Sequence, residues 1–171
     1  MIDLNKLAAQ IHDAAVNKGF WNVEDAMTKH LVKMVSELGE VVQADRAGVM
    51  FEIDAFSGKP EGVAAELADL IMMLLDMCAQ LGVSLPDEDI DSWIENKDKD
   101  AEIAKFTVPV LVVTLTATLV DMMYHNDDSG ALEIIYAVYI WLRHRGFDLW
   151  EIIRHKMAYN EARPALHGRL Y

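Results

Sequence analysis

Residues 62–81 read GVAAELADLIMMLLDMCAQL, and how that stretch is read decides the fold. Strands usually run ~5–6 residues, so twenty residues without strict alternation suit a buried helix better. Gly82 follows as a natural residue for the left-handed turn that ends a helix. Apolar side chains surround this helix on nearly every side, which puts it inside a helical domain rather than on the surface of one. The acids within it are Glu66, Asp69 and Asp76.

Working outward from that helix, the rest of the chain reads the same way. Leu4, Leu7, Ala8, Ile11 and Ala15 recur at helical spacing between Asp3 and Asn17. A second helix opens at Asn22, an N-cap with Asp25 three residues on, and stops near Gly48. It carries Leu31, Met34, Val35, Leu38, Val41 and Val42. A connector with Gly58 and Pro60 follows, and Pro60 is expected in the first turn of the 62–81 helix. Downstream, Pro86 and the run DEDID open a short segment, and Asn96–Lys105 is polar enough to predict an exposed connection. The Val- and Thr-rich run Thr107–Tyr124 has strand propensity, but its length favours a buried helix with Pro109 in the first turn. Ser129 caps a helix ending at Gly146, and Asp148 caps another to about Asn160, which Pro164 stops. The fold class is all-α, a helical bundle in a single domain over residues 1–171, with no β signal elsewhere.

Glu66–Leu85 also aligns faintly with Gly130–Leu149, each an apolar helix followed by a glycine and a leucine stop. The echo raises a degenerate internal duplication with a second half over about residues 105–160. Unrelated amphipathic helices resemble one another in the same way, so both readings stand. A true second copy would have kept the packing and lost the acids.

Charge narrows the partners. The chain has 171 residues with 15 Lys or Arg against 28 Asp or Glu, a net charge of −13. DNA and RNA are bound through basic patches, so a nucleic-acid polymer is excluded as a partner. A carboxylate cluster can still hold a metal that in turn holds phosphate. The lone Cys78 fits a reducing, cytoplasmic compartment, and the charged start MIDLNKLAAQIHD lacks the apolar core of a signal peptide. The longest uncharged apolar run, Phe106–Val120, is short of the ~20 residues a membrane span needs, so no membrane partner is expected.

Two acidic pairs carry the chemistry. Glu37 and Glu40 stand in SELGE, and Glu66 and Asp69 stand in AELAD. Residues three apart in a helix share a face, so each pair presents two carboxylates side by side on strongly apolar helices. Four such groups near a core repel each other and pay desolvation, and a divalent cation removes the conflict. Mg²⁺, with Mn²⁺ as a substitute, takes hard oxygen ligands and bridges to phosphates. The plainer alternative is that both pairs are solvated helix faces. Gly39, Ala65 and Ala68 interleave with the acids as small residues that would let the helices approach closely, which favours the metal site. A di-iron centre needs Glu-x-x-His pairs, and no His stands three residues after Glu37 or Glu66.

LVKMVSELGEVVQADR followed by EGVAAELADLIMMLLDM resembles the MazG-like branch of the all-α nucleoside triphosphate pyrophosphohydrolases, whose signature is E-x-x-E and then E-x-x-D. Gly19–Trp21 and the stretch KMAYNEARPALHGRLY also look like features of that family. The likeness covers roughly residues 5–90 and 150–171. It implies cleavage between the α and β phosphates, giving a monophosphate and pyrophosphate, in nucleotide-pool sanitation or with a dUTP or dCTP preference. Glu37, Glu40, Glu66 and Asp69 would then be Mg²⁺ ligands, with Glu37 and Glu40 also positioning or deprotonating the attacking water. Many relatives carry another Glu just before the first motif acid, where this chain has Ser36. Dimeric dUTPases, dCTP pyrophosphatases and phosphoribosyl-ATP pyrophosphohydrolases share the motif, so the substrate stays open. Relatives often dimerise, so a homodimer or higher oligomer is a further expectation. A non-catalytic helical interaction protein is the reading from a different class.

Other residues have two readings each. Lys33 could contact substrate phosphate or pair with Glu37 one turn on. Lys156, Asn160 and Arg163 share a face if their helix persists, and suit phosphate contact or a basic last turn. Trp21 could stack on a base or act as a packing staple. Asp76 shares the face of Asp69 and could extend the acidic cluster. Trp93, Trp141 and Trp150 are expected in the core, and the six histidines at surface or capping positions. Cys78 is expected as a small buried apolar residue.

Overall fold

A computed structural model of the chain describes residues 2–86, 97–125 and 129–165. Among these residues the chain is all-α, with seven helices and one two-stranded hairpin. Helix α1 spans Leu4–Asn17 and is capped by Asp3, whose carboxylate accepts from the Lys6 amide at 2.9 Å. Its face of Leu4, Ala8 and Ile11 is buried.

Helix α2, Ala26–Ala47, begins four residues later than Asn22. The Phe20 amide bonds Ala15 O and the Asn22 amide bonds Gly19 O, so these residues form turns that carry Trp21 inward. Asp25 takes the N-cap position in a left-handed conformation without a side-chain cap bond. Gly48 ends the helix as expected.

The connector holds the β structure that the sequence did not announce. Strand β1, Glu52–Ile53, pairs antiparallel with β2, Pro60–Glu61, and Ile53 stands opposite Pro60. Pro60 is therefore a strand residue rather than the first turn of a helix, which a two-stranded ribbon tolerates at its edge. Asp54 organises the turn by accepting from the Phe56 amide, the Ser57 amide and the Ser57 hydroxyl.

Helix α3, Val63–Leu81, starts on Gly62 and stops at Gly82. Its first amides do not go unpaired, because Val63 and Ala64 donate to the carbonyls of Val49 and Met50. That close approach requires Gly62, which has φ +103°, and a Cβ there would lie 2.9 Å from the Met50 carbonyl carbon and oxygen. Ala65 and Ala68 are fully buried, as close helix packing requires. Gly39 is not at such a contact: it is exposed, with nothing within 4 Å of where a Cβ would stand.

Residues 97–104 correct the expected exposed connection. They form helix α4, Lys97–Ala104, in which Asp100 and Ile103 are buried. The Tyr136 hydroxyl donates to the Asp100 carboxylate, which explains how an acid in a polar run can face inward. Helices α5, Val108–His125, α6, Ser129–Arg143, and α7, Leu149–Glu161, complete the bundle. Asp148 caps α7 by accepting from the Trp150 and Glu151 amides. Helix α3 is the hub, packed against α1, α2, α6 and α7, while α5 packs on α6 and α2. Trp141, Trp150 and Cys78 are buried as expected. Trp93, the acidic run 87–91 and His167 lie outside the described residues.

Candidate functional site

Two crossing helices bring the acids together. The three-residue spacing on α2 turns Glu37 and Glu40 toward α3, and the first turn of α3 presents Glu66, buried to 7% exposure. One oxygen from each of Glu37, Glu40 and Glu66 lies within 4.8 Å of the others. The helix N-terminus favours an anion at Glu66.

Burial first, then the charges of Asp69, Glu40 and Glu66, pushes the Glu37 carboxyl up to about 8, with Lys156 opposing the shift. Burial also raises Glu66, again against the pull of Lys156. Burial is the larger cause of both shifts, and the neighbouring carboxylates add to it.

Asp69 stands apart from the other three through its partner. The Lys156 ammonium, only 2% exposed, donates to Asp69 Oδ2 at 2.6 Å and lies 3.7 Å from Glu66 Oε2. Lys156 is thus inside the acidic cluster rather than on a phosphate-facing surface. Helix α7 ends at Glu161, before Arg163, whose guanidinium donates to Asn160 Oδ1 at 3.2 Å. Both residues line the same cavity as the acids.

That cavity measures about 980 Å³ and lies between α1, α2, α3 and α7. Glu37, Glu40, Glu66 and Asp69 occupy one part of its wall, and Lys6, Lys18, Lys33, Lys59, Arg154 and Arg163 supply cations around it. The Lys33 ammonium lies 4.0 Å from the Phe20 ring centroid. The Lys59 ammonium donates to Glu61 across the hairpin at 3.1 Å. Ile11, Met72, Met73 and Met157 give the cavity an apolar side.

Behind that side lies a polar network that reading by residue type passed over. Asp76 is buried, and its Oδ1 accepts from Trp21 Nε1 at 2.9 Å and from His12 Nδ1 at 2.7 Å. His30 Nε2 donates to the Met73 carbonyl at 2.8 Å and lies 3.7 Å from Asp76 Oδ2. Trp21 stacks on His30 with ring centroids 4.8 Å apart, so it supports the wall that His30 and Phe20 form. Burial lowers the His30 pKa. His12 and His30 are therefore not the surface groups expected of them, and Asp76 answers to an indole and two imidazoles rather than to the acidic cluster. The available signal was spacing: His30, Lys33 and Glu37 stand at i, i+3, i+7 on α2, and Asp76 two turns beyond Asp69 on α3.

Among the described residues no helix is long and apolar enough to cross a membrane. Comparison of the chain with known protein families, characterised proteins and solved structures finds no match in any of the three.

Proposed function

We propose that the chain is a divalent-metal-dependent pyrophosphohydrolase of (deoxy)nucleoside triphosphates, similar to the MazG-like enzymes. The observation that carries this reading is the convergence of Glu37, Glu40 and Glu66 within 4.8 Å in the wall of a cation-rimmed cavity. The donor set fits Mg²⁺ or Mn²⁺, being made only of hard carboxylate oxygens. The upward shifts of Glu37 and Glu66 fit it too, because burial first and neighbouring carboxylates second disfavour their charged forms, and a bound cation would favour them. Glu37, Glu40 and Glu66 would hold the ion, with Asp69 joining when Lys156 yields to it. When bound, such an ion acts as a Lewis acid at phosphate oxygens and lowers the pKa of a coordinated water.

The rest follows from the chain's own side chains. Lys33, Lys59, Arg154 and Arg163 line the cavity and would bind the phosphate oxygens. Glu37 or Glu40 accepts a proton from the attacking water, whose oxygen bonds to the α phosphorus. The bond from that phosphorus to the bridging oxygen breaks, and pyrophosphate leaves. Ile11, Met72 and Met73 give the base an apolar wall that excludes water.

The test is pyrophosphate release from a panel of (d)NTPs and phosphoribosyl-ATP with Mg²⁺, repeated with chelator. Release of pyrophosphate and a nucleoside monophosphate, abolished by chelator, is the expected result. Turnover of phosphoribosyl-ATP alone would move the assignment to that substrate. No turnover, together with a melting temperature indifferent to Mg²⁺, would leave a non-catalytic interaction protein.

A further inference from the structure

One cation belongs to the acidic cluster but not to the cavity wall. Lys156 follows Ile152 and Ile153 by four and three residues on α7, so its stem lies on the buried face of that helix. Its ammonium bonds Asp69 Oδ2 at 2.6 Å and lies 3.7 Å from Glu66 Oε2. Lys33, Lys59, Arg154 and Arg163 line the cavity, whereas Lys156, 2% exposed, does not. The acids divide accordingly. Glu37, Glu40 and Glu66 each offer an oxygen within 4.8 Å of the others, and Asp69, whose Oδ2 the ammonium takes, does not share that cluster.

We propose, on the metal-site reading of these acids, that the Lys156 ammonium stands where a second divalent ion would otherwise sit, so that the native site takes a single Mg²⁺ or Mn²⁺ on Glu37, Glu40 and Glu66. A two-ion site needs carboxylate oxygens for two centres ~3.5–4 Å apart. Here the oxygens left for a second centre are Asp69 Oδ2 and Glu66 Oε2, and both already face positive charge.

Burial keeps the lysine in place. An ammonium this deeply buried is costly once stripped of its carboxylate, so Asp69 stays with Lys156 and is free to coordinate only where the lysine gives it up. A divalent ion on Asp69 would also meet that ammonium at close range in a poorly hydrated interior, where like charges repel strongly. The field of Lys156 already covers the cluster, since it opposes the burial-driven rise of both Glu37 and Glu66. The ammonium differs from a metal ion in one respect that matters for function. It is a point charge fixed to the chain, so it neutralises carboxylates without offering an open coordination position. Every metal contact to a phosphate oxygen or a water therefore falls to the one ion on the three glutamates.

Electron paramagnetic resonance of the whole chain titrated with Mn²⁺ tests this without recourse to turnover. Ions that still bind a variant carrying both Glu37→Gln and Glu40→Gln lie elsewhere and set the background. Above that background the native chain should hold one ion, with the resolved hyperfine spectrum of an isolated Mn²⁺. Lys156→Met should hold two, with the broadened, exchange-coupled spectrum of neighbouring ions. Lys156→Gln keeps a donor for Asp69 and removes only the charge, and it repeats the test where Lys156→Met does not fold by circular dichroism. A coupled pair of ions in the native chain overturns the proposal and leaves the metal site standing. A single ion in the folded Lys156 variants overturns it as well. No ion above background in the native chain removes both the proposal and the metal site it rests on.

Discussion

At the residue scale, Glu37 and Lys156 divide the electrostatics of the site. The sign for Glu37 is set by its raised value: near 4.5 unfolded and about 8 folded, the folded protein holds a proton that the unfolded chain has released between those limits. The stability this group contributes is full below pH 4.5 and declines as pH rises toward 8. With EDTA present, melting temperature should fall over that window, and Mg²⁺ should flatten the decline. Lys156→Met removes the cation bonded to Asp69 and should destabilise the metal-free protein by ~3 kcal/mol, as expected for breaking a buried pair. Denaturant titration with and without Mn²⁺ measures the loss and its recovery, since the ion can take over the neutralising role. Glu66→Gln should leave the fold intact and lower pyrophosphate release at least ~10²-fold, because a metal contributes several kcal/mol and each decade takes ~1.4 kcal/mol. Full turnover in that variant would remove Glu66 from the metal site. The two acid pairs were legible in the sequence because three-residue spacing settles their face whatever the tertiary structure. Lys156 was legible as a cation near the site but not as the partner of Asp69, since the contact spans 87 residues and depends on how α7 lies across α3.

At the element scale, helix ends were easier to read than the segment between α2 and α3. Asp3, Gly48, Gly82 and Asp148 end or begin helices as expected, because caps act within a turn or two of their own position. The β1–β2 hairpin was missed because its strands have two residues each, too short for alternation to register. Asp54 and Gly58 held the turn signal. Helix α4 was missed for a different reason: one of the three acids that make residues 96–105 look solvated, Asp100, is satisfied inside by Tyr136. Two glycines separate local preference from packing. Gly62→Ala should destabilise by ~1–3 kcal/mol, through a strained φ and contact with Met50, and should displace the start of α3 that carries Glu66. Gly39→Ala should stabilise by ~0.5–1 kcal/mol, since the position is helical, exposed and open. Chemical denaturation of the pair of variants should show opposite signs.

At the scale of the whole molecule, the surplus of acids is a property of the surface as much as of the site. Raising salt from ~10 to ~150 mM shortens the screening length from ~30 to ~8 Å and should raise the melting temperature of the metal-free protein by relieving self-repulsion. The all-α class was legible because an interior helix of nineteen residues admits few other architectures. The cavity was not, because its walls come from α1 and α7, which lie at opposite ends of the sequence. One fastening holds that arrangement at its far edge. Asn5 Nδ2 donates to the Leu85 carbonyl at 2.8 Å while the Leu85 amide donates to Asn5 Oδ1 at 2.9 Å, so a side-chain amide of α1 clips the segment that follows α3. The Leu85 proton is therefore shielded only while α1 stays docked. Its hydrogen–deuterium exchange clocks the peeling of that wall, and a ligand filling the cavity should slow the clock without touching Leu85.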